Sequence, residues 1–246
     1  MTARNEMKVF RENIHKVVRE YKYVEKDYSM FENFPLNNKQ CLYVAHWGQK
    51  GMIYEKGLQS LTGYTLAEFN AEDLVAYTHP EDREIVKNIT TGVVEHVIKT
   101  PTTNEEAHLF LSFRLLKKDG TYCKILRQSS GFERDVHGRL VSNFSLLTDI
   151  SFLETSDRVE WNFQASDLDV KTFKKVIYKL YKDFYTKREK VVIRLLAKDQ
   201  TSEQIAQQLH LSKHTVQTHR KNILRKAKSN SVDDVLLFCK KNGILE

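Results

Sequence analysis

Thr201-Ser-Glu-Gln-Ile-Ala-Gln-Gln-Leu-His-Leu-Ser-Lys-His-Thr-Val-Gln-Thr-His-Arg-Lys-Asn-Ile-Leu-Arg-Lys226 decides how the last quarter of the chain folds. The stretch reads as two helices joined by a tight turn. Thr201 can cap the first helix, and Gln204, three residues on, completes a capping box. Ser212 can cap the second by accepting from a first-turn N–H. Ile205 and Leu209 fall one turn apart on the first helix. Val216, Ile223 and Ala227 share a narrow arc of the second at about 100° per residue. The opposite arc carries His214, Gln217, Thr218, Lys221 and Arg225. It is polar, holds no acid, and suits a helix laid in a DNA groove.

The flanks extend the pattern. Thr186-Lys-Arg-Glu189 is a second capping box, opening a helix whose Val192, Ile193, Leu195 and Leu196 face a core. A fourth helix begins after Ser231, with Asp233 and Asp234 in its first turn and Lys240 and Lys241 in its last, and stops at Asn242-Gly243. Four short helices around one small core predict an all-α unit over residues 184–246.

Charge separates this unit from the rest. Residues 1–170 hold 21 Lys+Arg and 25 Asp+Glu, a net of −4; residues 171–246 hold 18 and 7, a net of +11. A basic segment on a mildly acidic body points to a polyanion as partner of that segment alone, with nucleic acid such as double-stranded DNA among the candidates. A solvated basic surface would look the same by charge. An apolar content of 41% suits a globular chain. No run approaches the roughly 18 apolar residues of a membrane span. Cys41, Cys123 and Cys239 lie far apart, so neither a disulfide framework nor a zinc site is expected. A cytoplasmic, reduced protein is the natural reading, with no membrane partner and no metal.

Upstream, Met7, Phe10, Ile14, Val17, Tyr21, Val24, Tyr28 and Phe31 alternate spacings of three and four. This predicts one long helix within residues 1–36, ending before Pro35, either for dimerisation or laid against its own domain. Residues 152–183 form a junction. Val159, Trp161, Phe163 and Ala165 alternate as an extended segment that can dock the two domains. Asp167 or Asp169 opens an amphipathic helix through Phe173, Val176, Ile177, Leu180, Tyr181 and Phe184.

Residues 37–151 show an α+β pattern. Residues 41–46 and 52–54 read as short strands, and a helix beginning at Pro80 should run to about Lys99. Leu109, Leu111, Phe113 and Leu115 alternate as a strand buried on one face. Asp119-Gly120 turns it into the next strand, and Val136-His137-Gly138 turns that into the last.

Leu61-Thr-Gly-Tyr-Thr-Leu-Ala-Glu-Phe69, Thr78-His-Pro-Glu-Asp-Arg83, Arg114-Leu-Leu-Lys-Lys-Asp-Gly-Thr-Tyr122 and Leu147-Thr-Asp-Ile-Ser151 resemble, in order, the signatures of a PAS domain. The resemblance implies a five-stranded antiparallel sheet with flanking helices, serving as a sensor or a dimerisation module. It leaves the cofactor unknown. The flavin-binding Gly-x-Asn-Cys-Arg-Phe motif is absent, and haem would need an axial imidazole, for which His79 or His96 can be proposed. His79 equally suits a helix start. His46, His108 and Cys123 show no ligand spacing. A small-molecule ligand in the pocket and a core filled by its own side chains both stay open.

The segment from Thr186 through Thr201, Ile205, Ala206, Leu209, Leu211, Ser212, Thr215, Val216, His219, Asn222, Ile223 and Lys226 is similar to the LuxR-type helix-turn-helix domain. It departs from that pattern at Val191, Asp199, Gln204 and Ala227. Asp199 stands where the family has Gly and must take the left-handed conformation. The resemblance implies that Gln217, Thr218 and Lys221 point into the major groove. Gln can pair with adenine, and Lys can donate to guanine. His214 lies on the same polar arc. Thr215, His219, Arg220, Arg225 and Lys226 would lie nearer phosphates. Asn222 and His219 equally suit hydrogen bonding within the domain, and Arg220 can run along the core edge.

Together these features predict a multidomain transcription regulator, acting as a homodimer and able to meet RNA polymerase. A sigma-like factor is the alternative, because sigma helices share the Ala-x-x-Leu…Ser-x-x-Thr-Val pattern. So is a PAS-based interaction protein, against which the basic stripe speaks. No phosphate-binding Gly loop, nucleophile elbow or H-E-x-x-H motif is present, so no enzyme is predicted.

Overall fold

Pro80 opens a 20-residue helix at the position where its missing N–H costs nothing, and the His79 ring caps that helix by accepting from the Glu81 N–H at 3.3 Å. Asp82 in the first turn is buried. It takes a two-pronged bond from Arg114, at 2.9 Å from Nε and 2.7 Å from Nη2, and a third from the Arg114 backbone N–H at 3.1 Å. The Thr78–Arg83 motif thus fastens a helix end to a strand. The computed structural model describes residues 2–21, 27–48, 51–100, 107–153, 158–165, 168–169, 172–173, 184–241 and 244–245. They fall in two units, residues 1–168 and 169–246.

In the first unit, α1 (Ala3–Val18) precedes β1 (Gln40–His46) and β2 (Met52–Lys56). Next come α2 (Leu58–Thr62), α3 (Asp73–Ala76), α4 (Pro80–Lys99), β3 (His108–Leu116), β4 (Tyr122–Arg134), β5 (Leu140–Asp149) and β6 (Glu160–Gln164). The strands form one antiparallel sheet in the order β2-β1-β5-β4-β3-β6. Leu109, Leu111, Phe113 and Leu115 are buried on the inner face, as their alternation predicts. Gly120 at φ 84° makes the β3–β4 turn, in which Asp119 Oδ1 accepts from the Thr121 N–H at 2.9 Å. Gly63 at φ 81° ends α2, returning its N–H to the Gln59 carbonyl at 2.8 Å.

One expectation is extended and another needs correction. The five strands expected within residues 37–151 are β1–β5, and β6 adds a sixth by pairing along the edge of β3, with Leu109 opposite Phe163 and Leu111 opposite Trp161. The alternation around Trp161 therefore marks a strand of this sheet running beyond residue 151. Phe163 is buried within the unit, 5.9 Å edge-on from His96. The correction concerns the N-terminus.

The heptad does not form one helix. α1 stops at Val18, and its buried residues are Met7, Arg11, Ile14 and Val18, while Val17 is 45% exposed. Residues 22–26, which include Val24, lie outside the described residues. Tyr28 and Phe31 reappear around a 3-10 turn on the outer sheet face, where Phe31 packs with Leu42, Val44, Tyr54, Phe132 and Phe144. The physical reason is competition. Burying aromatic rings on the open sheet face and binding α1 to the neighbouring helices satisfies the apolar residues without a continuous seam. Lys87 reaches Glu6 at 2.6 Å, and Arg4 reaches Asp73 at 2.8 Å, so polar contacts also hold α1 to α4 and α3.

The second unit contains α5 (Lys187–Leu196), α6 (Ser202–Leu209), α7 (Lys213–Lys226) and α8 (Val232–Lys241) around Tyr185, Val192, Ile193, Ile205, Val216 and Ile223. Asp169 accepts from the Thr172 and Phe173 backbone N–H groups, as a helix start does. The amphipathic helix expected beyond it lies mostly outside the described residues.

Candidate DNA-binding surface and sensor cavity

Two capping boxes set the helices that carry the candidate surface. The Thr186 N–H donates to Glu189 Oε2 at 2.7 Å, and the Glu189 N–H donates to the Thr186 hydroxyl at 3.2 Å. Thr201 and Gln204 repeat the exchange at 2.8 and 3.3 Å. α6 ends at His210, left-handed at φ 53°, and the Leu211 N–H closes back on the Ala206 carbonyl at 2.9 Å. Ser212 then caps α7, accepting from the Thr215 N–H at 3.0 Å. Asp199, the residue in place of a family Gly, is at φ 57°.

Along α7 the two arcs separate as the spacing predicts. Val216, Ile223 and Ala227 are buried. His214, Gln217, Thr218, Lys221 and Arg225 are exposed, while Thr215, His219 and Arg220 are half-buried at the margins. The Thr218 hydroxyl donates to the His214 carbonyl at 3.1 Å, which fixes its rotamer. Arg225 donates to Asn222 Oδ1 at 3.4 Å, so Asn222 bonds within the helix. Lys213 pairs with Glu203, and that hydrogen bond holds the Glu203 carboxyl below its usual range.

Lys226 departs from expectation. Its ammonium lies 2.7 Å from Glu189 Oε2 and 6.0 Å over the Tyr185 ring, turned to the protein instead of outward to a phosphate. The reason is that Glu189 is buried and needs a counter-charge. Burial raises the Glu189 carboxyl, but the Lys226 and Thr186 hydrogen bonds outweigh it and bring it below its ordinary value. Two further contacts hold the scaffold: Arg188, part of the Thr186-x-Arg-Glu motif, donates from Nη2 to the Leu209 carbonyl at 3.1 Å, and Tyr185, outside any motif, donates its hydroxyl to the Ile223 carbonyl at 3.4 Å.

In the first unit, two small cavities of about 30 and 40 Å³ lie between the sheet and the helices. Thr90, Arg127 and Asn143 line both. His79 uses its Nδ1 as a helix cap and stacks edge-on against Tyr122 at 4.8 Å, so the helix-start reading describes it. His46 is buried 3.7 Å from Glu133, with Nδ1 accepting from the Gly48 N–H at 3.0 Å. Arg127 was legible as inward-facing, since it shares the parity of Cys123 and Ile125 on β4. Among the described residues no cluster of His, Cys, Asp and Glu is placed to hold a metal, and no helix is long and apolar enough to cross a membrane.

Residues 53–143 match the model of the PAS fold, and residues 183–238 match that of the bacterial regulatory proteins of the luxR family. The chain carries a PAS domain followed by a LuxR-type DNA-binding domain. Both resemblances read from the sequence are thereby established, and the α+β sheet and the helical unit are the folds of the two domains. Similar solved structures include the phage VqmA–DPO complex, at 13% identity over 88% of this chain and 87% of that one, with a TM-score of 0.34. The Vibrio cholerae VqmA dimer in the absence of target DNA has 16% identity over 88% and 86%, with a TM-score of 0.32. The N-terminal domain of a diguanylate cyclase with PAS/PAC sensor from Marinobacter aquaeolei has 24% identity over 48% and 100%, with a TM-score of 0.40. No curated protein matches. The assignment rests on the two family models and takes nothing from these likenesses.

Proposed function

We propose that this PAS–LuxR-type regulator works in the cytoplasm as a homodimer on double-stranded DNA, with α7 as its reading helix and the PAS cavity as its sensor. The observation that carries the reading is the exposed arc of α7, five polar or basic side chains with no acid, backed by a buried arc that seats the helix. Gln217, Thr218 and Lys221 are assigned to base edges. Thr215, His219, Arg220 and Arg225 are assigned to phosphates, where they supply affinity and salt dependence. Lys226 is assigned to the scaffold. A dimer would place two copies of α7 on successive half-sites about one helical turn apart. RNA polymerase enters as a partner only where the bound regulator activates.

Selection of bound fragments from random DNA tests this reading. Enrichment of a two-fold symmetric site supports it, and binding that stays indifferent to sequence refutes it.

A further inference from the structure

Arg127 is a buried cation of the PAS interior that meets no carboxylate among the described residues. It lies on β4, is 6% exposed, and donates from Nε to the Ser129 hydroxyl at 2.9 Å and from Nη1 to the Thr90 hydroxyl at 3.4 Å. A guanidinium has five N–H donors and stays charged inside a protein. Among the described residues, its other three N–H groups have no protein acceptor, and no carboxylate lies within ion-pair distance. The contrast with Arg11 is direct. That arginine lines the first cavity too, but it reaches Glu72 at 3.1 Å and the carbonyls of His46 and Gly51 at 3.1 and 2.9 Å. Glu72, the carboxylate lining that cavity, is therefore engaged. The second cavity is lined by Arg127, Arg134 and His108, and by no acid among the described residues.

The surroundings hold Arg127 in place. Ser129 bonds to Ser145 at 2.7 Å, Asn143 donates to Ser145 at 3.2 Å, and the Trp47 indole N–H donates to Asn143 at 3.1 Å. This chain of neutral partners fixes the guanidinium between the two cavities and supplies no negative charge. A buried charge without a counter-charge is costly, and a carboxylate is the group whose two oxygens match the guanidinium fork.

We infer that the PAS cavity takes a small organic carboxylate, seated on the guanidinium of Arg127. The inference rests on reading the cavity as the sensor site. The size follows from the space: the two cavities share Thr90, Arg127 and Asn143 as lining and each holds about two or three water-sized atoms, so the ligand is small, on the order of five non-hydrogen atoms. Acetate, propionate, lactate and pyruvate span that range.

Titration calorimetry and thermal melting on the full chain decide it, comparing these four acids with acetamide, propionamide and lactamide, and with chloride and nitrate. At least one acid should bind and raise the melting temperature, with its amide at least about tenfold weaker. Arg127→Gln should lose that binding. The acid–amide comparison uses the native chain, so it stands even if the variant does not fold. Equal binding of acid and amide, unchanged binding in a folded Arg127→Gln, binding of nitrate or chloride alone, or binding of none of the acids overturns the proposal. Amide binding would leave the cavity a sensor site with a neutral ligand, and the DNA selection tests the regulator independently.

Discussion

Lys226, the last residue of α7, ends 2.7 Å from Oε2 of Glu189, the oxygen that also accepts the Thr186 N–H at 2.7 Å and closes the capping box of α5. One carboxylate therefore starts the first helix of the LuxR-type domain and holds the far end of the third. Glu189→Gln keeps an acceptor for the Thr186 N–H but removes the ion pair. It should cost roughly 1–2 kcal/mol, discounted because Lys226 remains 30% exposed. The Glu189 carboxyl is depressed in the folded state, so its contribution is present above the unfolded carboxylate range and lost as pH falls through the folded value. Urea melts of wild type and variant should converge on acidification through that window. A gap that persists at low pH would remove the ion pair as the cause.

Lys221→Ala should weaken specific DNA binding by about 1–3 kcal/mol and relax preference at one base pair. Arg225→Ala should weaken binding to all sequences alike and lower the salt slope by about one. A footprint and affinity unchanged by Lys221→Ala would take that residue out of the reading set.

Asp199 is held at φ 57°, a conformation that glycine adopts without the clash of a Cβ. Asp199→Gly should stabilise the LuxR-type domain by about 0.5 kcal/mol, after the greater unfolded-state entropy of glycine is set against the relieved strain. A lower midpoint in chemical denaturation would show that the aspartate side chain does more than tolerate the turn.

Arg11 is a buried cation whose hydrogen bonds include those to Glu72 and to the His46 and Gly51 carbonyls. Arg11→Ala should destabilise the PAS domain by about 2–3 kcal/mol, since Glu72 and two carbonyls lose their donor. Sedimentation of a chain lacking residues 1–34 tests the dimer role of the same segment: a lower mass supports it, and an intact dimer assigns the helix to its own domain alone.

All three cysteines are buried, and burial pushes the Cys123 and Cys239 thiols up to about 12 and the Cys41 thiol higher still. The reactive form is the thiolate, so none should react with a disulfide reagent at neutral pH until the chain unfolds. Rapid labelling of the native protein would contradict this burial.

Local chemistry was legible without coordinates wherever the partners are near in sequence. The Thr186–Glu189 and Thr201–Gln204 boxes, the cap at Ser212 and the division of α7 into buried and polar arcs all follow from spacings of three to seven residues, and the resemblance to the LuxR-type pattern implied the left-handed Asp199. So does the start of α4 at Pro80. The family signatures extended this reach to the PAS sheet, because they encode turns and helix starts of the same local kind.

Tertiary structure decided what depends on residues far apart in the chain. The heptad of residues 7–31 looked continuous, yet its Tyr28 and Phe31 pack on an open sheet face that forms only when β1, β4 and β5 assemble. Trp161 and Phe163 announced a strand, but β3 supplied the edge it joined. Lys226 was one cation of a basic stripe until Glu189, 37 residues earlier, claimed it. Arg127 is one of 39 basic residues in the sequence, and only the folded sheet shows that it is buried with no carboxylate beside it among the described residues. Hydrogen-bond caps act over one turn of chain, whereas burial and charge pairing act through space. That difference separates what this sequence determined by itself from what waited for the fold.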